Sequence, residues 1–161
     1  MKTIGSTIIM LALASSLFAD NGKELKLASP DGTHEIVFYQ KQVSPAVNEL
    51  CYRVDYKSQP VVNESRAGLE LDNRIWEMAL GVRNLKQPAC WMDNLEVDSV
   101  TYQLETNLTW QPLYGERSSV RDHYRAGTLC LSKKDNSGYR LNIEVRAYNE
   151  GVAFRYFFPE H

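Results

Sequence analysis

Carboxylates, tryptophans, histidines and cysteines carry what chemistry this chain has to offer, and their spacing decides what each can do. Glu116 follows Tyr114-Gly115 and has Trp110 and Arg117 close by, so one short stretch holds a carboxylate, aromatic faces and a guanidinium. That combination suits contact with a ligand that has both apolar and polar surfaces. A solvated loop carboxylate is the plainer reading, and for Glu150, set in the turn-like Asn149-Glu150-Gly151, it is the stronger one. Trp76, Trp91 and Trp110 could present ring faces to a ligand, although tryptophan is more often packed. Trp91, between Cys90 and Met92 and followed by Asp93-Asn94, is expected on an exposed loop.

Metal and nucleophile chemistry find less support. His34, His123 and His161 with Cys51, Cys90 and Cys130 lack the close ligand pairs of a structural zinc site, so zinc is not expected. There is no Gly-x-Ser-x-Gly elbow and no glycine-rich phosphate loop. An odd count of three cysteines allows at most one internal pair. Cys51 and Cys130 lie in strand-like segments where buried free thiols are common, which favours thiols over a disulfide.

Residues 1–19 read as an export signal: Lys2 gives a positive start, and Thr7 to Ala19 form an apolar stretch ending in a small residue, with cleavage expected after Ala19. A membrane span needs roughly 18 or more apolar residues, and Ser15-Ser16 and Asp20 leave this run too short. A periplasmic or secreted location follows, with no membrane association after cleavage. Loss of Lys2 leaves 17 basic against 20 acidic residues, a balance without the basic patch that nucleic acid requires. Residues 20–161 are of a size for one domain with a real core, without low-complexity segments, charge blocks or internal repeats.

The elements that must position these residues are strands. Alternating apolar residues mark 23–27, 35–39, 50–57, 97–104, 125–132, 139–145 and 152–158, with shorter candidates at 61–62 and 68–71. Leu50, Tyr52, Val54 and Tyr56 fall on one strand face, and Ser29-Pro30-Asp31-Gly32 reads as a turn. Strict alternation across 97–104 sets Val97, Ser99, Thr101 and Gln103 against Asp98, Val100, Tyr102 and Leu104. One helical segment is weighed, Asp72 to Val82, where Ile75, Met78, Ala79 and Val82 recur at helical spacing. Many short strands without a sustained amphipathic helix indicate an all-β antiparallel sandwich.

The most informative run is Arg146-Ala147-Tyr148-Asn149-Glu150-Gly151-Val152-Ala153-Phe154-Arg155-Tyr156, a hairpin whose second strand ends close to His161. With Ser29-Pro30-Asp31-Gly32, Ser65 with Gly68-Leu69, and Trp110-x-Pro112-x-Tyr114-Gly115-Glu116 in the same order, it resembles the N-terminal domain of glycoside hydrolase family 97, the α-glucosidase and α-galactosidase family of Bacteroidetes. The resemblance spans about residues 25–160 and implies a super-sandwich similar to galactose mutarotase, incomplete here at its C-terminal side. A sheet seldom stops on so apolar a strand, and the natural polypeptide is expected to continue.

Glycoside hydrolysis generally uses two carboxyl groups. The resemblance implies that both lie on a C-terminal (β/α)8 barrel beside a calcium ion, and that the sandwich's own calcium-binding glutamate falls after His161. No catalytic residue, metal ligand or cofactor is therefore expected within this chain, and the chain alone is expected to be inactive. Its implied partner is the barrel of the same polypeptide, with α-glucosides or α-galactosides as substrates of the whole enzyme. Trp91, Trp110 and Glu116 are the candidate carbohydrate contacts. Arg155, opposite Phe154 in strand phase, is the candidate for pairing across to the barrel. Two alternatives remain, an independent carbohydrate-binding module and a mutarotase- or epimerase-like enzyme. The latter needs a positioned histidine and carboxylate, which neither His34 nor His123 supplies in a recognisable motif.

Overall fold

The computed structural model describes residues 23–72, 78–81, 90–92, 94–134 and 138–159. Nine strands occur among them: β1 (Glu24–Ala28), β2 (His34–Ser44), β3 (Val47–Tyr56), β4 (Gln59–Arg66), β5 (Leu95–Tyr102), β6 (Thr106–Trp110), β7 (Val120–Lys133), β8 (Arg140–Tyr148) and β9 (Gly151–Phe157). The first four form an antiparallel meander, sheet 1, in the order β1-β2-β3-β4. The rest form sheet 2, in the order β5-β7-β8-β9 with β6 also on β7. The two sheets pack face to face, as the alternating apolar residues require, because each has one face that only the other can cover.

Leu25 and Leu27 of β1, Ile36 and Phe38 of β2, Leu50 and Val54 of β3, Leu129 and Leu131 of β7, and Leu141, Ile143 and Val145 of β8 make up the buried core. Phe38 of sheet 1 meets Phe154 of sheet 2 edge-on at 5.2 Å, and Tyr52 meets the same ring at 5.3 Å. Gly127 lets the sheets come close, since a side chain there would crowd Leu25 Cδ1 at 3.3 Å and Thr101 O at 3.2 Å. The expected phase of the terminal strand holds: Val152, Phe154 and Tyr156 pack on the core while Ala153, Arg155 and Phe157 are exposed.

Strict alternation in β5 does not hold. The register with β7 passes from Val97↔Leu131 to Ser99↔Cys130, so a bulge at Asp98 shifts the phase. Val97 and Val100 consequently both reach the core, and Asp98 accepts a hydrogen bond from Ser132 Oγ at 2.8 Å. The sequence pattern also misses β6. After Tyr102 the ladder continues through Gln103 N–H to Ala126 O at 2.9 Å, breaks, and resumes with Thr106↔Tyr124, so β5 and β6 form one edge of the 14-residue β7. Of the helical segment, Met78–Leu80 are helical, but Met78 and Ala79, the described members of the face at helical spacing, are both exposed. Ile75, Trp76 and Val82 lie outside the described residues, as does the export signal.

The turn between β1 and β2 is built around one carboxylate. Asp31 Oδ1 accepts from Ser29 Oγ at 2.6 Å, Thr33 Oγ1 at 2.8 Å and Thr33 N at 3.0 Å, while His34 N donates to Ser29 Oγ at 3.0 Å. Asp31 N in turn donates to Asn149 Oδ1 at 3.1 Å, joining this turn to the β8–β9 hairpin. Chiefly because of the Ser29 hydroxyl, and then the Thr33 N–H, the Asp31 carboxyl is lowered from an ordinary 3.8 to about 2. A depressed carboxyl pKa contributes stability that is present above the unfolded value and lost as pH falls through the folded one. Asp31→Asn should therefore lower the urea midpoint at neutral pH, and its gap from the parent chain should narrow between about pH 4 and about pH 2. A constant gap across that interval would assign the loss to geometry instead of charge.

Candidate functional site

Sheet 2 has one face in the core and one face open, and the antiparallel register determines which residues share the open face. Leu108 pairs with Asp122 and Trp110 with Val120 across β6–β7, Tyr124 with Tyr148 and Ala126 with Arg146 across β7–β8, and Arg146 with Ala153 and Glu144 with Arg155 across β8–β9. Residues directly opposite in a ladder project to the same side. One continuous surface therefore runs from Leu108 and Trp110 through Tyr124, Arg146 and Tyr148 to Ala153 and Arg155. Among the described residues the hollows on this sheet include one over Ala153 of about 270 Å³ and one lined by Asp98, Ser132, Arg140 and Asn142 among others, of about 600 Å³.

The sequence-expected residues are only partly brought together. Trp91 is not on an exposed loop: it is 2% exposed, meets Phe158 edge-on at 5.2 Å, and has Lys133 Nζ over its ring at 5.9 Å. Its backbone is clamped as well, with Trp91 N donating to Leu69 O at 2.8 Å. Gly68, at φ 152°, passes so close that a Cβ there would sit 2.4 Å from Trp91 O, which only glycine allows. Local polar neighbours suggested a loop, but the long-range pairing Glu70↔Cys90 draws this segment onto the core.

Trp110 is 53% exposed at the end of β6, and the irregular segment that follows holds Leu113 and Tyr114, 100% and 89% exposed, then Glu116, also exposed. Glu116 makes no hydrogen bond or ion pair among the described residues. Arg155 stands on the open face of β9 and donates from Nε to Glu144 Oε2 at 2.6 Å. Glu150 is exposed in the two-residue turn between Tyr148 and Gly151. Cys51 is buried, Cys130 half-buried and Cys90 exposed, all three as thiols. Among the described residues no group of three or more His, Cys, Asp and Glu is arranged to hold a metal.

A charged inset that no sequence motif marks lies at the break between β5 and β6. Glu105 Oε1 lies 2.7 Å from His123 Nε2 and Glu105 Oε2 accepts from Arg125 Nε at 2.9 Å, while Arg125 also reaches Ser29 O at 3.4 Å. The His123 and Arg125 hydrogen bonds lower the Glu105 carboxyl pKa. The cluster caps the end of the inter-sheet space, where β7 extends past the apolar rows and its inward positions turn from Leu129 to Arg125 and His123. His123 Nδ1 is buried without a partner. Histidine and carboxylate are thus in contact, yet the carboxylate is also tied to Arg125, which suits a closed structural cluster better than a proton shuttle.

Comparison with known proteins matches residues 27–161 to the family model for the glycosyl hydrolase 97 N-terminal domain. The chain belongs to that family. A retaining alpha-galactosidase of Bacteroides thetaiotaomicron is 26% identical over 150 residues, a match that takes in 93% of this chain and 19% of the enzyme. Family 97 enzymes from Pseudoalteromonas sp. strain K8, solved with panose and with acarbose, superpose with a TM-score of 0.67 at 27% identity, covering 85% of this chain and 18% of theirs. A beta-arabinopyranosidase shares the fold with a TM-score of 0.65 at 18% identity. The chain thus spans about a fifth of the length of these family 97 relatives, and its two antiparallel sheets are those of their N-terminal domain.

In family 97 terms Arg155 was the candidate for reaching another domain, and here its partner is Glu144 on the neighbouring strand. Both side chains are well exposed, 71% and 36%, and such pairs contribute little. Arg155→Ala should shift the stability of this chain by less than about 1 kcal/mol in urea unfolding. A larger loss would show that the pair holds β8 and β9 together.

Proposed function

We propose that this chain is the non-catalytic N-terminal sandwich of an exported α-glycosidase, and that it scaffolds and borders an active site carried by a following (β/α)8 barrel. The observation that carries this reading is the family match over residues 27–161 set beside the small share, 19% and 18%, of the relatives' own length. The chemistry of the described residues agrees with it. The exposed carboxylates Glu116 and Glu150 stand alone, while Glu105, Glu144 and Glu64 are committed to cations, the last to Lys41. Among the described residues each of the two hollows is lined by a single carboxylate, Glu144 in one and Asp98 in the other, where hydrolysis generally uses two.

The open face of sheet 2 supports a role in contact with the rest of the polypeptide. Leu108, Trp110, Leu113 and Tyr114 form an apolar exposed group on β6 and its following loop, and such groups are usually covered by a partner. More than four-fifths of the galactosidase relative lies outside the matched segment, which makes the succeeding domain the natural cover. On this reading Trp110 and Glu116 border a sugar site without performing chemistry, calcium belongs to the barrel, and α-glucosides or α-galactosides are substrates of the whole enzyme. Cleavage after Ala19 delivers the protein to the periplasm or medium, and the intact mass of the exported product should begin at Asp20. A product retaining residues 1–19 would remove the export reading.

The exposed Trp110 also favours a second reading, an independent carbohydrate-binding module. Residues 20–161 assayed with nitrophenyl α-glucoside and α-galactoside, calcium present, should show no turnover, and calorimetry with malto-oligosaccharides and neutral galactosides should show no saturable heat. Turnover abolished by one Glu or Asp substitution would overturn the scaffold. Saturable binding lost in Trp110→Ala would replace the scaffold with the module.

A further inference from the structure

The hollow over Ala153 has a charge pattern that neither the scaffold nor the apolar patch explains. It is lined by Glu144, Arg146, Tyr148, Ala153, Phe154 and Arg155. Ala153 lies opposite Arg146 in the ladder, and its single methyl leaves the space. The two arginines around it differ. Arg155 is matched by Glu144 at 2.6 Å. Arg146 has no carboxylate within ion-pair distance among the described residues. Its guanidinium instead lies over the Tyr124 ring, 4.5 Å from the centroid, and Nη1 donates to the Tyr148 hydroxyl at 3.4 Å.

Ring stacking and the tyrosine bond hold the guanidinium in place without neutralising it, and Asp122 acts on it only from beyond ion-pair distance, so the hollow has one positive charge without a direct acidic partner among the described residues beside a balanced acid–base pair. A fixed arginine fork of this kind is matched by a carboxylate. The remaining walls select what carries that carboxylate. Glu144 offers oxygen acceptors and Arg155 donors, groups that suit ring hydroxyls, and the Glu144 charge disfavours a second acid nearby. A volume of about 270 Å³ is just under the usual range of drug-sized sites, roughly 300–1,000 Å³, and suits a single sugar ring.

We propose that this hollow binds a carboxylated pyranose, a hexuronic acid unit, with its carboxylate on Arg146 and its hydroxyls on Glu144 and Arg155. The site is separate from the β6 patch and does not depend on a barrel following, so it stands or falls apart from the scaffold reading. Because the hollow is open and its charges are in water, binding is weak, in the millimolar range.

The test is a titration of the full chain with glucuronate and galacturonate, followed by the NMR signal of the Arg146 Nε–H and by calorimetry. Parallel arms use neutral methyl hexosides, acetate and a short aspartate-containing peptide. A saturable shift with a uronate that exceeds every other arm is expected. Arg146→Gln should weaken it by at least about tenfold, and Ala153→Leu, which fills the hollow from an exposed position, should do the same with an unchanged melting temperature. No saturable response to either uronate overturns the proposal, as does equal binding of a neutral hexoside or of acetate. Equal or tighter binding of the peptide would reassign the site to an acidic protein segment, and a uronate response intact in Arg146→Gln would remove the arginine from it.

Discussion

Burial of one face of each sheet against the other is the interaction on which everything else rests. Leu25, Ile36 and Phe38 from one sheet and Leu129, Leu131, Leu141 and Ile143 from the other are fully enclosed between them. Each such side chain contributes on the order of 1.5–3 kcal/mol relative to exposure, more than an exposed ion pair supplies. The ion pairs lie at the surface and work mainly as local registration. Sandwich burial also fixes the functional geometry, since committing one face of sheet 2 to the core leaves the opposite face, with Trp110, Tyr124, Arg146 and Arg155, turned outward.

Strand β7 does most to organise that outward face. It is long enough to pair with β5 along one half and β6 along the other while holding β8 on its far side. Its inward positions change from leucine to arginine and histidine where sheet 1 ends, and Glu105, placed by the break between β5 and β6, closes that end. The β8–β9 hairpin is tied to sheet 1 by Asp31 and Asn149 and to the segment after β4 by Gly68 N donating to Tyr156 Oη at 2.8 Å. The face that carries Arg146 and Arg155 is thus positioned by both sheets. That arrangement suits a surface meant to present side chains at fixed spacing, whether to a following domain or to a sugar acid.

Much of this was legible in the order of residues. Period-two alternation located seven of the nine strands, because a strand with one buried face must alternate, and the short candidate at 61–62 fell within β4, while the one at 68–71 forms only the isolated bridge Glu70↔Cys90. The phase of Phe154 and Arg155 followed from the same rule, and the family followed from the long run Arg146 to Tyr156 together with three shorter motifs in matching order. Strand β6 escaped because Thr106-Asn107-Leu108-Thr109-Trp110 lies at an edge with both faces largely exposed, so no burial imprinted a pattern on it. The bulge at Asp98 escaped for a related reason, since one extra residue resets the phase without leaving a local signature.

Sequence by itself determined the turns and the inward or outward phase of most strands, which depend on neighbours within a few residues, and the class of fold and membership of the family, which depend on the order of such local patterns along the chain. Only the tertiary structure decided the fate of Trp91, whose polar neighbours pointed to solvent while Gly68 and the Glu70↔Cys90 bridge drew it into the core. It alone paired Arg155 with Glu144, stacked Arg146 on Tyr124 with no carboxylate at ion-pair distance among the described residues, and brought Glu105 to His123 and Arg125. Each of these depends on strand register between residues 11 to 22 positions apart in the chain, or on contact between separate segments. Local pattern cannot encode such pairings, because the distance between two side chains is set by how the sheets align and not by the residues next to either one.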